Sequence, residues 1–175
     1  MISLGNLQSR NGQTYVVKLD RHNFITIVEK TPLVSIDLCL VFENKILLGN
    51  RNNEPLKGQW FTPGGRIFKN ESWQDCLRRI LEAELGLNSN DAFKFKLMDV
   101  WDHFYPNSFF DQNVSTHYVS LPHYCFLKEQ PTLIADGQHN NLSWFDLEKI
   151  KGNENFHEYM RSYASWLINM SNKND

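Results

Sequence analysis

A Gly64-Gly65-Arg66 run follows the apolar stretch Trp60-Phe61-Thr62-Pro63 and precedes a helical pattern. Two glycines after a strand let the backbone approach a ligand and expose its peptide groups. Arg66 adds a cation whose planar fork suits phosphate. Downstream, Glu84 falls where apolar side chains belong. With Trp73 set at zero and roughly 100° per residue, Cys76, Leu77, Ile80 and Leu81 lie within about ±80° of it. Asp75, Arg78, Arg79 and Glu82 fall on the far side, and Glu84 returns to about 20°, inside the apolar stripe. An acid there is partly desolvated, which is costly without a counter-charge or a metal. Helix geometry leaves two readings open: Glu84 reaches solvent or an arginine from the helix end, or it grips a cation. A glycine loop, a helix and an acid on its buried face together point to a hard metal, held by oxygen, that bridges to a diphosphate.

Other residues have chemical potential but ordinary explanations beside it. Asp37 interrupts the apolar run LVSIDLCLVF, and it either takes part in chemistry or binds a neighbouring backbone group or arginine. His103 and Tyr105 stand among aromatics at a strand end, where packing alone accounts for them. His117 and Tyr118 alternate along a strand, so one of the two must face inward. Gln138-His139 follows Asp136-Gly137 in a loop, where a histidine is usually just solvated. Arg51 reads as a surface cation in a hairpin. His22, His123 and His157 read as structural or surface residues.

The elements that must position these groups follow from pattern. Leu33–Phe42 reads as a buried strand, Glu43-Asn44-Lys45 as a turn, and Ile46-Leu47-Leu48 as the start of the returning strand. Gly58–Pro63 reads as a short strand and Asn70–Leu85 as a helix stopped by Gly86. Phe93–Asp102, Thr116–Lys128 and Ser143–Phe145 read as strands, and Phe156–Met170 as a terminal helix. Strands on both sides of one central helix predict a single-domain α+β sandwich. Residues 1–18 are polar and aperiodic and read as a loose extension with a turn at Asn11-Gly12. Residues 171–175 form a tail.

The chain has 175 residues, enough for one domain. With 41% hydrophobic residues it can build a core, which excludes a disordered chain. Its formal net charge of −2 argues against a nucleic-acid binder, which needs a basic surface. No apolar run is long enough to span a membrane, and the N-terminus lacks a secretory pattern. Cys39, Cys76 and Cys125 are scattered and odd in number, so a reducing cytoplasm is expected.

The stretch GRIFKNESWQDCLRRILEAELGL resembles the box of the Nudix hydrolases. Gly65, Glu71, Arg79, Leu81, Glu84, Gly86 and Leu87 match it; Ile80 and Ala83 stand where the box has glutamates. Either the protein is inactive, or a ligand and a base come from elsewhere in the chain. One branch, the GDP-mannose mannosyl hydrolases, shares this defect. The similarity to it runs over roughly Leu19 to Leu167, through TPLVSIDL, LLGNRNNEP, GQWFTPGGR, VWDHFY, THYV and Gln138-His139. The resemblance implies a Nudix-type α/β/α sandwich with a mixed β-sheet, its domain spanning 19–170.

It also implies one Mg²⁺ per site, for which Mn²⁺ substitutes, held by the Gly64 carbonyl, Glu84 and Gln138. His139 would be the general base. Arg51, Arg66 and Tyr118 match residues that stabilise the leaving GDP. Asp37 and His103 match residues on the sugar side, and Tyr105 joins the substrate-binding set. Glu71 and Arg79 match the box and either pair with each other or cap the helix. The implied substrate is a GDP-sugar, GDP-mannose or also GDP-glucose, and the implied assembly is a homodimer. The implied reaction is attack of water on the anomeric carbon with inversion, releasing GDP. Asp37 would then stabilise the cationic sugar or orient its hydroxyls. The competing expectations are an ordinary Nudix pyrophosphohydrolase cleaving P–O, and a non-catalytic module that binds a nucleotide sugar.

Overall fold

A computed structural model describes residues 5–10, 13–88, 93–133 and 141–173, the side chains from residue 19 onward. In chain order the elements are β1 (Gly5–Arg10), β2 (Gln13–Lys18), α1 (Arg21–Lys30), β3 (Leu33–Phe42), β4 (Lys45–Asn50), β5 (Trp60–Phe61), β6 (Gly64–Arg66) and α2 (Trp73–Leu85). They continue with β7 (Lys96–Leu97), β8 (Trp101–Tyr105), β9 (Thr116–Phe126), β10 (Leu142–Asp146), α3 (Leu147–Lys151) and α4 (Glu158–Ser171).

Among the described residues, β3 to β10 form one mixed sheet in which β3 runs parallel to β9 and antiparallel to β4 and β6. Alternation along β3 sends its side chains to two faces. Ile36, Leu38 and Leu40 pack with Leu47 against Cys76, Leu77, Ile80, Leu81 and Leu85 of α2. Cys39 and Val41 pack with Ile46, Leu48 and Phe61 against Met160, Tyr163, Ala164 and Leu167 of α4. The result is an α+β sandwich, as the pattern of elements predicts, in the α/β/α form with a mixed sheet that the family resemblance implies. Asp37 has the odd-numbered parity of Cys39 and Val41, so it projects toward the α4 face.

Several elements depart from the sequence reading. Residues read as a loose extension pair instead as an antiparallel ribbon, β1 with β2; Asn11 and Gly12 lie outside the described residues. Helix α1 was not expected, although Asp20 caps it by accepting from the Asn23 N–H at 2.9 Å and Phe24 and Val28 are buried at helical spacing. The expected strand Phe93–Asp102 is broken into β7 and β8. Both pair with β9, but Lys96 lies opposite Tyr124 and Trp101 opposite Ser120, so the register slips by one residue between them. That slip is a bulge, and it turns every later side chain of β8 to the other face. His103 and Tyr105 thereby share a face with Tyr118 and Thr116.

Ser72 caps α2 by accepting from the Asp75 N–H, and Gly86 ends it in the left-handed conformation at φ 63°. Trp73, the reference point of the apolar stripe, is 45% exposed and stacks on the ring of His123. The stripe that is buried begins one turn later, at Cys76, where the sheet lies beneath the helix.

Candidate active site

The cleft lies on the α4 side of the sheet. It is lined by Ser35, Asp37, Arg51, Pro55, Phe61, Gly64, Gly65, Arg66, His103, Tyr105 and Tyr118. These come from β3, the β4–β5 connection, β5, β6, β8 and β9. Asp37, Arg51, Gly64, Arg66, His103, Tyr105 and Tyr118, singled out from sequence, thus meet around one space. Gln138 and His139 lie outside the described residues.

The β6 strand is the hinge of this arrangement. Leu38 donates its N–H to the Pro63 carbonyl and Ile67 donates to the Val34 carbonyl. Between these bonds Gly65 lies opposite Ile36, and Gly64 lies opposite Asp37. The alternation of an antiparallel ladder therefore turns the Gly64 N–H and carbonyl away from β3. On that outer edge the Gly64 N–H donates to Glu84 Oε2 at 3.1 Å. Glu84 is half-buried, and it reaches the glycine loop from α2 on the opposite layer. Glycine is required at position 64 because a Cβ would stand 2.6 Å from Asp37 Oδ1 and 2.7 Å from the Ile36 carbonyl oxygen.

Ile80 and Ala83 contribute no carboxylate to this edge. Ile80 is 1% exposed and belongs to the core beneath α2, where its burial stabilises the fold by roughly 1.5–3 kcal/mol. Among the described residues no three His, Cys, Asp or Glu side chains gather into a metal cluster. The Glu84 carboxylate and the outward Gly64 peptide edge supply oxygen donors alone. That donor chemistry fits a hard divalent cation that takes its remaining ligands from other oxygens.

Glu71 and Arg79 pair with each other. Arg79 donates from Nε to Glu71 Oε1 at 2.6 Å and from Nη2 to Glu71 Oε2 at 2.8 Å. Glu71 also accepts from the Phe68 N–H at 2.8 Å, and Arg79 donates to the Arg66 carbonyl at 3.0 Å. The pair ties α2 to the strand that carries Arg66. The wheel put Arg79 on the solvent side, but its long stem lets the guanidinium fold back under the loop. There it lies 3.9 Å from the Phe68 ring centroid.

Arg66 is buried, and its guanidinium lies between the rings of Phe68 and Phe24, 5.0 and 5.6 Å from their centroids. Burial pulls it below its ordinary value, and the neighbouring Tyr118 opposes that shift. Burial likewise raises the Tyr118 phenol, against the pull of Arg51 and Arg66. Arg51 is oriented by donating from Nε to the Pro55 carbonyl at 2.7 Å. Tyr118 faces this cleft, whereas His117 faces the other way and donates to Asp102 at 3.0 Å.

The opposite end of the cleft is a buried polar chain. Asp37 Oδ2 accepts from Ser120 Oγ at 2.7 Å and from Tyr163 Oη at 2.8 Å. Tyr163 Oη lies 3.2 Å from His103 Nε2, and His103 Nδ1 lies 3.4 Å from Tyr105 Oη. Tyr159 stacks on the His103 ring at 4.0 Å between centroids. Burial lowers His103 below its ordinary value, with Asp37 opposing, and so favours the neutral imidazole. Asp37 therefore meets hydroxyls, where the sequence left a backbone group or an arginine open. Ser120, Tyr159 and Tyr163 escaped sequence analysis. Tyr159 and Tyr163 sit on a helix whose apolar spacing explains them fully as core.

The NUDIX domain family model matches residues 32–167, most of the chain. The protein belongs to the Nudix hydrolase family. It is 37% identical over 141 residues to the low-salt glycan biosynthesis protein Agl8 of Haloferax volcanii, an alignment covering 81% of this chain and 85% of that one. Over a shorter stretch of 56 residues, about a third of each chain, it is 38% identical to an ADP-ribose pyrophosphatase of Methanocaldococcus jannaschii. The fold is shared with a MutT protein of Methanosarcina mazei (TM-score 0.62, 18% identity, 83% of this chain and 98% of that one). It is also shared with the NUDIX domain of Shewanella oneidensis NrtR, solved with ADP ribose (TM-score 0.61, 17% identity, 87% and 99%). Among the described residues no helix is long and apolar enough to cross a membrane.

Proposed function

We propose that this Nudix protein hydrolyses a GDP-sugar of the GDP-mannose kind, by attack of water on the anomeric carbon, to GDP and free sugar. The observation that carries the reading is that one cleft joins Arg51 and Arg66 to Asp37 and His103. Arginines suit a diphosphate, and a carboxylate with a neutral imidazole suits sugar hydroxyls and a cationic ring. Water entering from the face opposite the leaving group inverts the carbon.

A single Mg²⁺, or Mn²⁺ in its place, held by Glu84, the Gly64 carbonyl and Gln138, would neutralise negative charge growing on the departing diphosphate. Arg51 and Arg66 share that task from the chain itself. His139 takes the proton from water, and a histidine does so near neutral pH. Tyr118 lies beside both arginines and donates to the leaving group. Asp37 and His103 orient the sugar, and Tyr105 closes the cleft beside them.

Similarity to a glycan biosynthesis protein agrees with an activated sugar as substrate. A cytoplasmic homodimer belongs to the same reading. The match to an ADP-ribose pyrophosphatase favours a second reading, P–O cleavage of a nucleoside diphosphate derivative. Against it stand Ile80 and Ala83, which leave α2 with one acid at the glycine edge. Hydrolysis of GDP-mannose with Mg²⁺ in ¹⁸O-water separates the readings. Label in mannose supports C–O cleavage, and label in phosphate supports the second reading. Binding without turnover across a panel of nucleotide sugars would leave a non-catalytic module.

A further inference from the structure

We infer that Tyr163 is a positioning residue, whose hydroxyl fixes the His103 proton on Nε2 and braces the Asp37 carboxylate; its role in turnover rests on the reading of the cleft given above. Tyr163 is fully buried, and its Oη meets Asp37 Oδ2, His103 Nε2 and Ser120 Oγ at 2.8, 3.2 and 3.3 Å. It has one proton to give. Ser120 also has one, and its Oγ lies 2.7 Å from the same carboxylate oxygen. A carboxylate supplies none. Bonds to an ionised acceptor are the stronger ones, so both hydroxyl protons go to Asp37.

His103 Nε2 then faces an oxygen with no proton left, and it must bring its own. In a neutral imidazole Nδ1 is consequently bare. That nitrogen lies 3.4 Å from Tyr105 Oη, a long contact that a sugar hydroxyl can replace. Stacking of Tyr159 at an interplanar angle of 11° opposes rotation of the ring. Asp37 Oδ1, in turn, stands over Gly64, in the space that a side chain there would fill. Tyr163 thus leaves the cleft one bare nitrogen and one carboxylate oxygen, both aimed from behind by a helix that the Nudix box does not include.

The test is a long-range ¹H–¹⁵N correlation of the histidine rings in the full, ligand-free chain, with His103 assigned by its loss in His103→Gln. The expected wild-type pattern is a protonated Nε2 and a bare Nδ1. Tyr163→Phe removes only the hydroxyl; it should lower the Nε2–H population and reduce kcat on GDP-mannose by roughly tenfold, the size of one lost hydrogen bond. Ser120→Ala removes the other donor to Asp37 and should leave the tautomer unchanged. A wild-type proton on Nδ1 overturns the inference, whether or not Tyr163→Phe folds. So does a Tyr163→Phe spectrum like the wild type, or a changed tautomer with unchanged kcat. The tautomer is read without substrate, so failure to hydrolyse GDP-mannose, which would sink the proposed function, is a separate result.

Discussion

Replace Gly64 with alanine, and the new methyl lands 2.6 Å from Asp37 Oδ1 and 2.7 Å from the Ile36 carbonyl oxygen. The carboxylate is held by two hydroxyls and the carbonyl belongs to a central strand, so neither yields readily. The β6 strand must move instead, by about 0.8 Å, the difference between 2.6 Å and an ordinary contact of 3.4 Å. Such overpacking costs about 1–3 kcal/mol. The stiffer unfolded chain of alanine offsets about 0.4–1 kcal/mol of that. At the middle of both ranges the net loss is about 1.3 kcal/mol, which at roughly 2–4 °C per kcal/mol lowers the melting temperature by about 3–5 °C. Arg66 and the Gly64 peptide move with the strand, so hydrolysis should fall by about 10- to 100-fold. Gly65→Ala is the control, because its methyl would meet Ile80 Cγ1 at 3.6 Å, an ordinary contact. Its stability should stay within about 0.5 kcal/mol of wild type or rise. Parallel thermal melts and initial rates decide the matter. Equal melting temperatures for the two variants would refute the tight β3–β6 approach.

Glu71→Gln should cost about 3 kcal/mol in urea unfolding, because Glu71 is almost wholly buried (2% of its side chain exposed) and Arg79 would lose its counter-charge; an unchanged midpoint would discredit the tie between α2 and β6. Glu84→Gln should raise the Mg²⁺ concentration for half activation by at least about 10-fold and lower kcat severely; normal activation would remove Glu84 from the metal. His139→Gln should lower kcat by ~10²–10⁴ and flatten the pH profile; a retained pH dependence would mean another base. Burial lowers His103, His123 and His157. The unfolded chain then takes up protons first on acidification, so stability is full above about pH 6.5 and falls below it, toward the folded-state values. Melts between pH 5 and 8 should show that loss, and His103→Gln should reduce it; rising stability on acidification would contradict the burial of these rings.

Helix α2, its Gly86 stop and most of its buried face were legible because a helix writes its environment locally, at a spacing of three and four residues. Asp37 was legible for a similar reason, as one acid in a run of apolar residues. His103 was harder. A one-residue slip between β7 and β8 decides which way it points, and that slip exists only in the pairing with β9. The Arg79–Glu71 pair was legible from the box as one of two alternatives, although the helix wheel alone sets Arg79 toward solvent, because a wheel places the Cα and not the end of a long side chain. Tyr163 reads as an apolar contact until its hydroxyl is seen against Asp37, a partner 126 residues away.

By itself the sequence determined the plan of helices packed on a mixed sheet, the glycine loop, the lone acid on α2 and the family to which the chain belongs. These rest on near-neighbour periodicity and on residue types in a fixed order. Only the tertiary structure decided which polar groups share a cleft, where their protons lie and which glycine has no room for a methyl. Those properties depend on distances between strands and helices remote in the chain, and hydrogen bonding and steric exclusion change sharply within a fraction of an ångström.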